Sequence, residues 1–180
     1  MPSFDILFAF FLAAAVFAYL PGPALVYTAA QTLARGRRAG FLAALGLHIG
    51  GYVHVIAAAF GLALVFQAVP TLYIALKFAG AAYLVWLGVR LFLSKPAPET
   101  MPQKPSKITF WHSITVEVLN PKTALFFVAF LPQFTDSEAA LAIWAQLLIL
   151  GTIVNLMFSS ADIVCVLLAD TISTKMRSAT

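Results

Sequence analysis

Tyr19-Leu20-Pro21-Gly22-Pro23-Ala24 lies inside an apolar run that extends from Phe4 to about Ala34. Two prolines and a glycine therefore stand near the middle of a segment long enough to cross a membrane. Each proline removes a backbone N–H and costs about 3 kcal/mol in a helix interior. In lipid the carbonyls freed four residues upstream, those of Phe17 and Tyr19, would be worse placed still. Either the segment is not a span, or the break is what the span is for.

Composition decides for the second. The 180 residues are 62% hydrophobic and only 10% charged, against about 25% charged in a soluble domain. The mean hydropathy is +0.94. Too little polar surface exists to cover a globule, so the chain reads as an all-α membrane protein. The net charge of +4 is carried by short loops between apolar runs and resembles no nucleic-acid surface. The single cysteine, Cys165, sits in an apolar segment and excludes an internal disulfide or a paired-thiol redox site. No Lys or Arg precedes Arg35, which argues against a cleaved signal peptide.

A bilayer core needs about 20 apolar residues per helix. Five segments meet this: 4–34 (long and broken), 39–67, 71–93, 110–134 and 139–168. The connection 94–107, SKPAPETMPQKPSK, holds four of the ten prolines and reads as a solvated linker. Alternating sides puts Arg35, Arg37, Arg38, Arg90, Lys95, Lys104, Lys107, Lys175 and Arg177 on one face. By the positive-inside rule that face is cytoplasmic and the N-terminus lies outside. An offset of about 100 residues lays Pro21 on Pro121 and the second span on the fifth. Three spans per copy would invert the second, the architecture of many transporters. The expected organisation is a first repeat over 1–93, a cytoplasmic linker over 94–107 and an incomplete second repeat over 108–180, with the sixth span missing.

The second break is Leu119-Asn120-Pro121-Lys122. Counted from Trp111, Lys122 lies about 16 Å into the bilayer, where a charge costs at least ~2.5 kcal/mol. It should face a wet cavity or a carboxylate, and Glu117 and Asp162 lie at suitable depth. Broken helices offer N–H groups after the break and carbonyls before it. The expectation is that the N–H groups after Pro23 and the Lys122 ammonium receive a substrate carboxylate. The carbonyls of Phe17, Tyr19 and Glu117 would receive the substrate ammonium. Pro21, Gly22, Pro23, Asn120, Pro121 and Lys122 are thus the candidate substrate site.

In the second span, Gly40, Gly46, Gly50 and His54 are read as one close-packing face, with His54 a candidate proton relay beside Glu117 and Asp162. His48, off that face, and His112, near the cytoplasmic boundary, read as structural or interfacial. Gly80, Leu84 and Gly88 form a packing face in the third span, where Lys77 snorkels outward. Three dispersed histidines lack metal-ligand spacing, and no nucleophile–base pair or phosphate loop is present. No enzyme, metal site or cofactor is expected.

Four stretches carry a resemblance: PGP at Pro21 to Pro23; the basic turn RGRRAG from Arg35 to Gly40 with the spaced glycines up to Gly50; KFAGAAYLVWLG from Lys77 to Gly88; and LNPKTALFFVAFLPQF from Leu119 to Phe134. In these and their order the chain resembles the LysE/RhtB family of bacterial amino-acid exporters. The resemblance implies six spans in two inverted three-helix repeats in the inner membrane, and export of an amino acid or related metabolite, driven by proton exchange. Glu117 departs from it, standing where the family pattern usually has asparagine. So does Gly51, where many members carry an acid, and an acid moved from the second span to the fourth would hand proton or cation handling to Glu117. The alternatives are a divalent metal-ion exporter, for which Glu117, Asp162 and Cys165 are a thin ligand set, and a non-transporting membrane subunit. The aliphatic composition fits a small neutral amino acid better than one with a second charged end. The expected partners are that substrate and the lipid bilayer; the glycine faces leave a homo-oligomer open.

Overall fold

The structure is a computed structural model that describes residues 2–62, 110–178 and the isolated positions 64, 68, 71, 74, 75 and 78. Apart from the isolated positions 71, 74, 75 and 78, the third span lies outside the described residues, as do the linker expected over 94–107 and Lys77, Gly80, Leu84 and Gly88. Among the described residues the fold is helical with no strand.

Helix α1 (Phe4–Tyr19) stops at the Leu20 C-cap, and α2 (Pro23–Arg35) restarts with Pro23 in its first turn, where a missing N–H costs nothing. The pair bends by 45°. Gly36 has φ +86°, a left-handed value that favours glycine, and it turns the chain into α3 (Arg37–Ile56). A π-helical turn, Ala57–Leu62, extends α3. The second broken pair is α4 (Phe110–Val118) and α5 (Pro121–Leu125), bent by 42°. It continues through π-helical Phe126–Phe130 and a 3₁₀ turn, Leu131–Phe134. Helix α6 runs from Ile143 to Ser178. The polar residues after Leu168 therefore prolong α6 rather than leaving it.

Among the described residues two helices are long and apolar enough to cross a membrane, and up to four segments if each bent pair counts as one. Contacts set their directions. Phe10 meets Phe134, Phe17 meets Phe126 and Phe130, and Leu20 meets Lys122, so the two broken segments run antiparallel with their breaks at one level. Helices α3 and α6 are antiparallel as well: Gly40 faces Val166, Gly51 faces Asn155, and Phe60 stacks on Trp144. Helices α3 and α4 run parallel, Gly46 against Ser113 and Gly50 against Glu117. The core, around Phe10, Phe126, Phe127, Leu147 and Leu150, lies on one side of the breaks.

The glycines of α3 do not form one face. A Cβ on Gly46 would lie 2.5 Å from Ser113 Cβ, and one on Gly50 would lie 2.8 Å from the Ile114 carbonyl. These two let α4 approach closely. Gly40 instead meets Thr32 and Val166, and Gly51 meets Asn155. The reason is arithmetic: six residues from Gly40 to Gly46 turn a helix by about 240°, while eleven from Gly40 to Gly51 return it to nearly the same side.

Candidate functional site

Where the breaks meet, the second is tied by its own side chains. The Asn120 side chain accepts from the Lys122 N–H at 3.1 Å and caps α5. Asn120 Nδ2 donates to Glu117 Oε2 at 3.0 Å, and Thr123 Oγ1 donates to Glu117 Oε1 at 2.7 Å. Glu117 and Asn120 are 4% and 2% exposed, so each carboxylate oxygen is satisfied inside the bundle, as a buried acceptor requires.

The Glu117 carbonyl, freed by Pro121, accepts the Asn120 N–H at 3.0 Å and pairs with His54 Nε2 at 3.0 Å. A carbonyl only accepts, so Nε2 carries the proton. That carbonyl is thus filled from within the chain, contrary to its expected role as a receiver of substrate. His54 faces α4 and stacks on Phe127 with ring centroids 5.9 Å apart.

The first break has no side-chain cap. Gly22 is extended (φ −152°, ψ 177°) and the Gly22 carbonyl accepts the Val26 N–H at 3.0 Å. Lys122 crosses from α5 onto this break. The Lys122 ammonium donates to the Leu20 carbonyl at 2.5 Å and lies 5.0 Å from the Phe17 ring centroid and 5.7 Å from that of Phe158. The lysine lines a small cavity, as expected, but its hydrogen bond goes to a carbonyl rather than a carboxylate; the stem passes over Gly22, where a Cβ would stand 2.6 Å from Lys122 Cδ.

A cavity of about 20 Å³ sits at this junction, with Gly22, Glu117, Asn120, Lys122 and Asp162 in the lining. That is room for about one water. Pro21, Pro23 and Pro121 point outward; Pro21 borders a separate apolar groove of about 400 Å³ between α2 and α6. The prolines make the breaks but do not line the cavity.

The structure adds residues that the sequence marks as structural or not at all. His48 lines the cavity, its Nδ1 lying 2.6 Å from Ser159 Oγ. Asn155 donates from Nδ2 to the His48 carbonyl at 3.0 Å, and its Oδ1 fills the space beside Gly51. Glu117 reaches α3 at Gly50, one residue and about 100° away. Thr28 Oγ1 donates to Asp162 Oδ1 at 3.5 Å, the long limit of a hydrogen bond. Asn155, Ser159 and Asp162, spaced by four and three, form a polar stripe on an apolar helix; that periodicity was the available signal. Among the described residues no group of three His, Cys, Asp or Glu side chains could hold a metal ion.

The family described as LysE type translocator matches residues 15–180. A leucine efflux protein of Klebsiella pneumoniae is 33% identical over 134 residues, 72% of this chain and 63% of the relative. A leucine efflux protein of an Enterobacter species is 33% identical over 124 residues, 67% of this chain and 59% of the relative. An uncharacterized membrane protein of Pseudomonas aeruginosa is 34% identical over 125 residues, 65% of this chain and 58% of the relative. The chain thus spans about three fifths of the length of these relatives. No solved structure matches it.

Proposed function

The chain belongs to the LysE type translocator family, and from that premise we propose that it exports a small neutral amino acid across the bacterial cytoplasmic membrane, with leucine the first substrate to try. The names of the efflux relatives support that choice. The observation that carries the reading is the meeting of two antiparallel broken helices at Lys122 and Leu20, beside a cavity lined by His48, Glu117, Lys122 and Asp162. One break presents backbone and the other a formal charge, which suits a ligand with one ammonium and one carboxylate.

In this reading residues 1–93 and 108–180 are inverted repeats joined by the 94–107 linker, and the antiparallel pairings of the two broken segments and of α3 with α6 support it. Arg35, Arg37 and Arg38 mark the cytoplasmic end. Lys175 falls at that end too, because Val166 of α6 packs on Gly40 near the start of α3. The N-terminus is then outside.

The substrate site is the backbone around Pro21, Gly22 and Pro23 together with Asn120, Pro121 and Lys122. The Ala24 and Leu25 N–H groups, in the first turn of α2, receive the carboxylate jointly with Lys122. Export is driven by proton entry, with Asp162 and Glu117 as the groups that change protonation. His54 is a positioning residue, since it holds the Glu117 carbonyl. Asp162 is the better proton carrier, because its neighbour Thr28 holds it at only 3.5 Å while both Glu117 oxygens are engaged at 3.0 Å or less.

The test is flux of radiolabelled leucine from loaded proteoliposomes with an imposed pH gradient. Efflux accelerated by the gradient, and uncoupled from it in Asp162→Asn, is expected. Efflux no faster than from protein-free liposomes would refute the export reading.

A further inference from the structure

The Lys122 ammonium is hydrogen-bonded to neither carboxylate of its cavity, although the charges of Asp162 and Glu117 both act on it. That ammonium goes to the Leu20 carbonyl and lies 5.0 and 5.7 Å from the centroids of Phe17 and Phe158, two rings that stack on each other 6.1 Å apart. This carbonyl belongs to the C-cap of α1 and precedes Pro21, so no helical N–H claims it and it stands at the negative end of the helix dipole. Aromatic faces attract a cation through the ring quadrupole. Carbonyl, dipole end and two rings together make a receptor for an ammonium group, and a primary ammonium occupies it. The same group terminates every α-amino acid.

We propose that Leu20, Phe17 and Phe158 form the receptor for the substrate ammonium, and that Lys122 fills it as a tethered stand-in which an amino acid displaces. The proposal rests on the export reading and gives that site its chemistry. With Lys122 in place the cavity is about 20 Å³, too small for an amino acid, so entry requires the lysine to withdraw. The stem passes over Gly22, where a side chain would obstruct it, and its rotatable bonds let the ammonium swing aside. On entry the substrate ammonium takes the Leu20 carbonyl and the two rings, and the Lys122 ammonium turns to the substrate carboxylate. Charge is balanced at each stage. A bare amine brings a second cation and no carboxylate of its own to draw Lys122 away. A bare acid leaves the receptor to Lys122. Only a molecule bearing both groups completes the exchange, so the latch selects zwitterions before side-chain size is read.

The test uses the whole chain in lipid nanodiscs, titrated calorimetrically with L-leucine, 3-methylbutylamine (leucine without its carboxylate) and 4-methylpentanoate (leucine without its ammonium). In Lys122→Met the amine should bind about tenfold more tightly than in the wild type, from loss of the internal competitor, while leucine binds about tenfold more weakly and the acid gains nothing. Adding Phe158→Leu should abolish the gain for the amine. Amine binding no tighter in Lys122→Met than in the wild type, or a gain that survives Phe158→Leu, would overturn the proposal. Should Lys122→Met and its companion Lys122→Gln both fail to fold, as judged by gel filtration, Phe158→Leu alone decides. Leucine affinity weakened about fivefold is then expected, and unchanged affinity overturns the receptor. These titrations need no transport, so absent leucine flux with an intact amine response would refute export and leave the receptor standing.

Discussion

The two breaks bend their helices almost equally, 45° at the first and 42° at the second, yet they are built from different material. At the first, two prolines and an extended glycine interrupt the helix, and no side chain caps the start of α2. At the second, Asn120 caps α5 and ties back to Glu117, which also takes the Thr123 hydroxyl. The first leaves its backbone groups without a cap from its own side chains, and its Leu20 carbonyl is taken from across the junction by Lys122. The second turns its polar atoms on itself and projects one charge, Lys122, into the first. A bend therefore says little about role. What distinguishes a receptive break from a rigid one is whether the chain satisfies its own freed groups.

Substitutions can break this comparison. The largest effect is expected from Glu117→Ala, which orphans the Asn120 and Thr123 donors in the interior. At ~1–3 kcal/mol for each unsatisfied group, a loss of about 2–6 kcal/mol and abolished efflux are expected, read by thermal melting in detergent and by proteoliposome flux. Asn120→Ala removes the cap and one Glu117 partner, and about 1–2 kcal/mol is expected by the same melt. Melting as late as the wild type would show that the second break does not depend on its side chains. Gly22→Ala should separate function from stability. Its Cβ displaces only the flexible stem of Lys122, so the melt should move by no more than about 1 kcal/mol while leucine efflux falls sharply. Pro23→Ala is the smallest. The residue is exposed in the first turn of α2, where alanine is tolerated, and a change below about 0.5 kcal/mol with efflux retained is expected.

Much of this is legible in the residues. Prolines within apolar runs locate both breaks, and the rarity of charge within spans singles out Lys122, Glu117 and Asp162. The face of Gly46, Gly50 and His54 does turn towards a neighbouring helix, as their spacing implies. Gly40 does not share it, since a six-residue step does not preserve a helical face. His48 lines the cavity although nothing around it in the sequence says so, because its importance comes from Ser159 and Asp162 on a helix more than a hundred residues away. The partner of Lys122 escapes the sequence for a related reason. A buried ammonium accepts a carboxylate, a carbonyl or an aromatic face at comparable cost, and all three are within reach of a long flexible stem.

For the described segments, the sequence by itself determined which are apolar and long enough to span, where two of them break, and which few charges they carry. These are local consequences of backbone chemistry and of transfer from water to lipid. Only the tertiary structure decided that the breaks sit at one level, that Gly40 serves α2 and α6 and Gly51 serves α6 while Gly46 and Gly50 serve α4, and that Lys122 rests on Leu20. A helix can rotate about its axis or slide by one residue, about 1.5 Å, without disturbing any of its own hydrogen bonds. The choice among those positions is made by the packing of glycines and rings on neighbouring helices, and no local pattern records it.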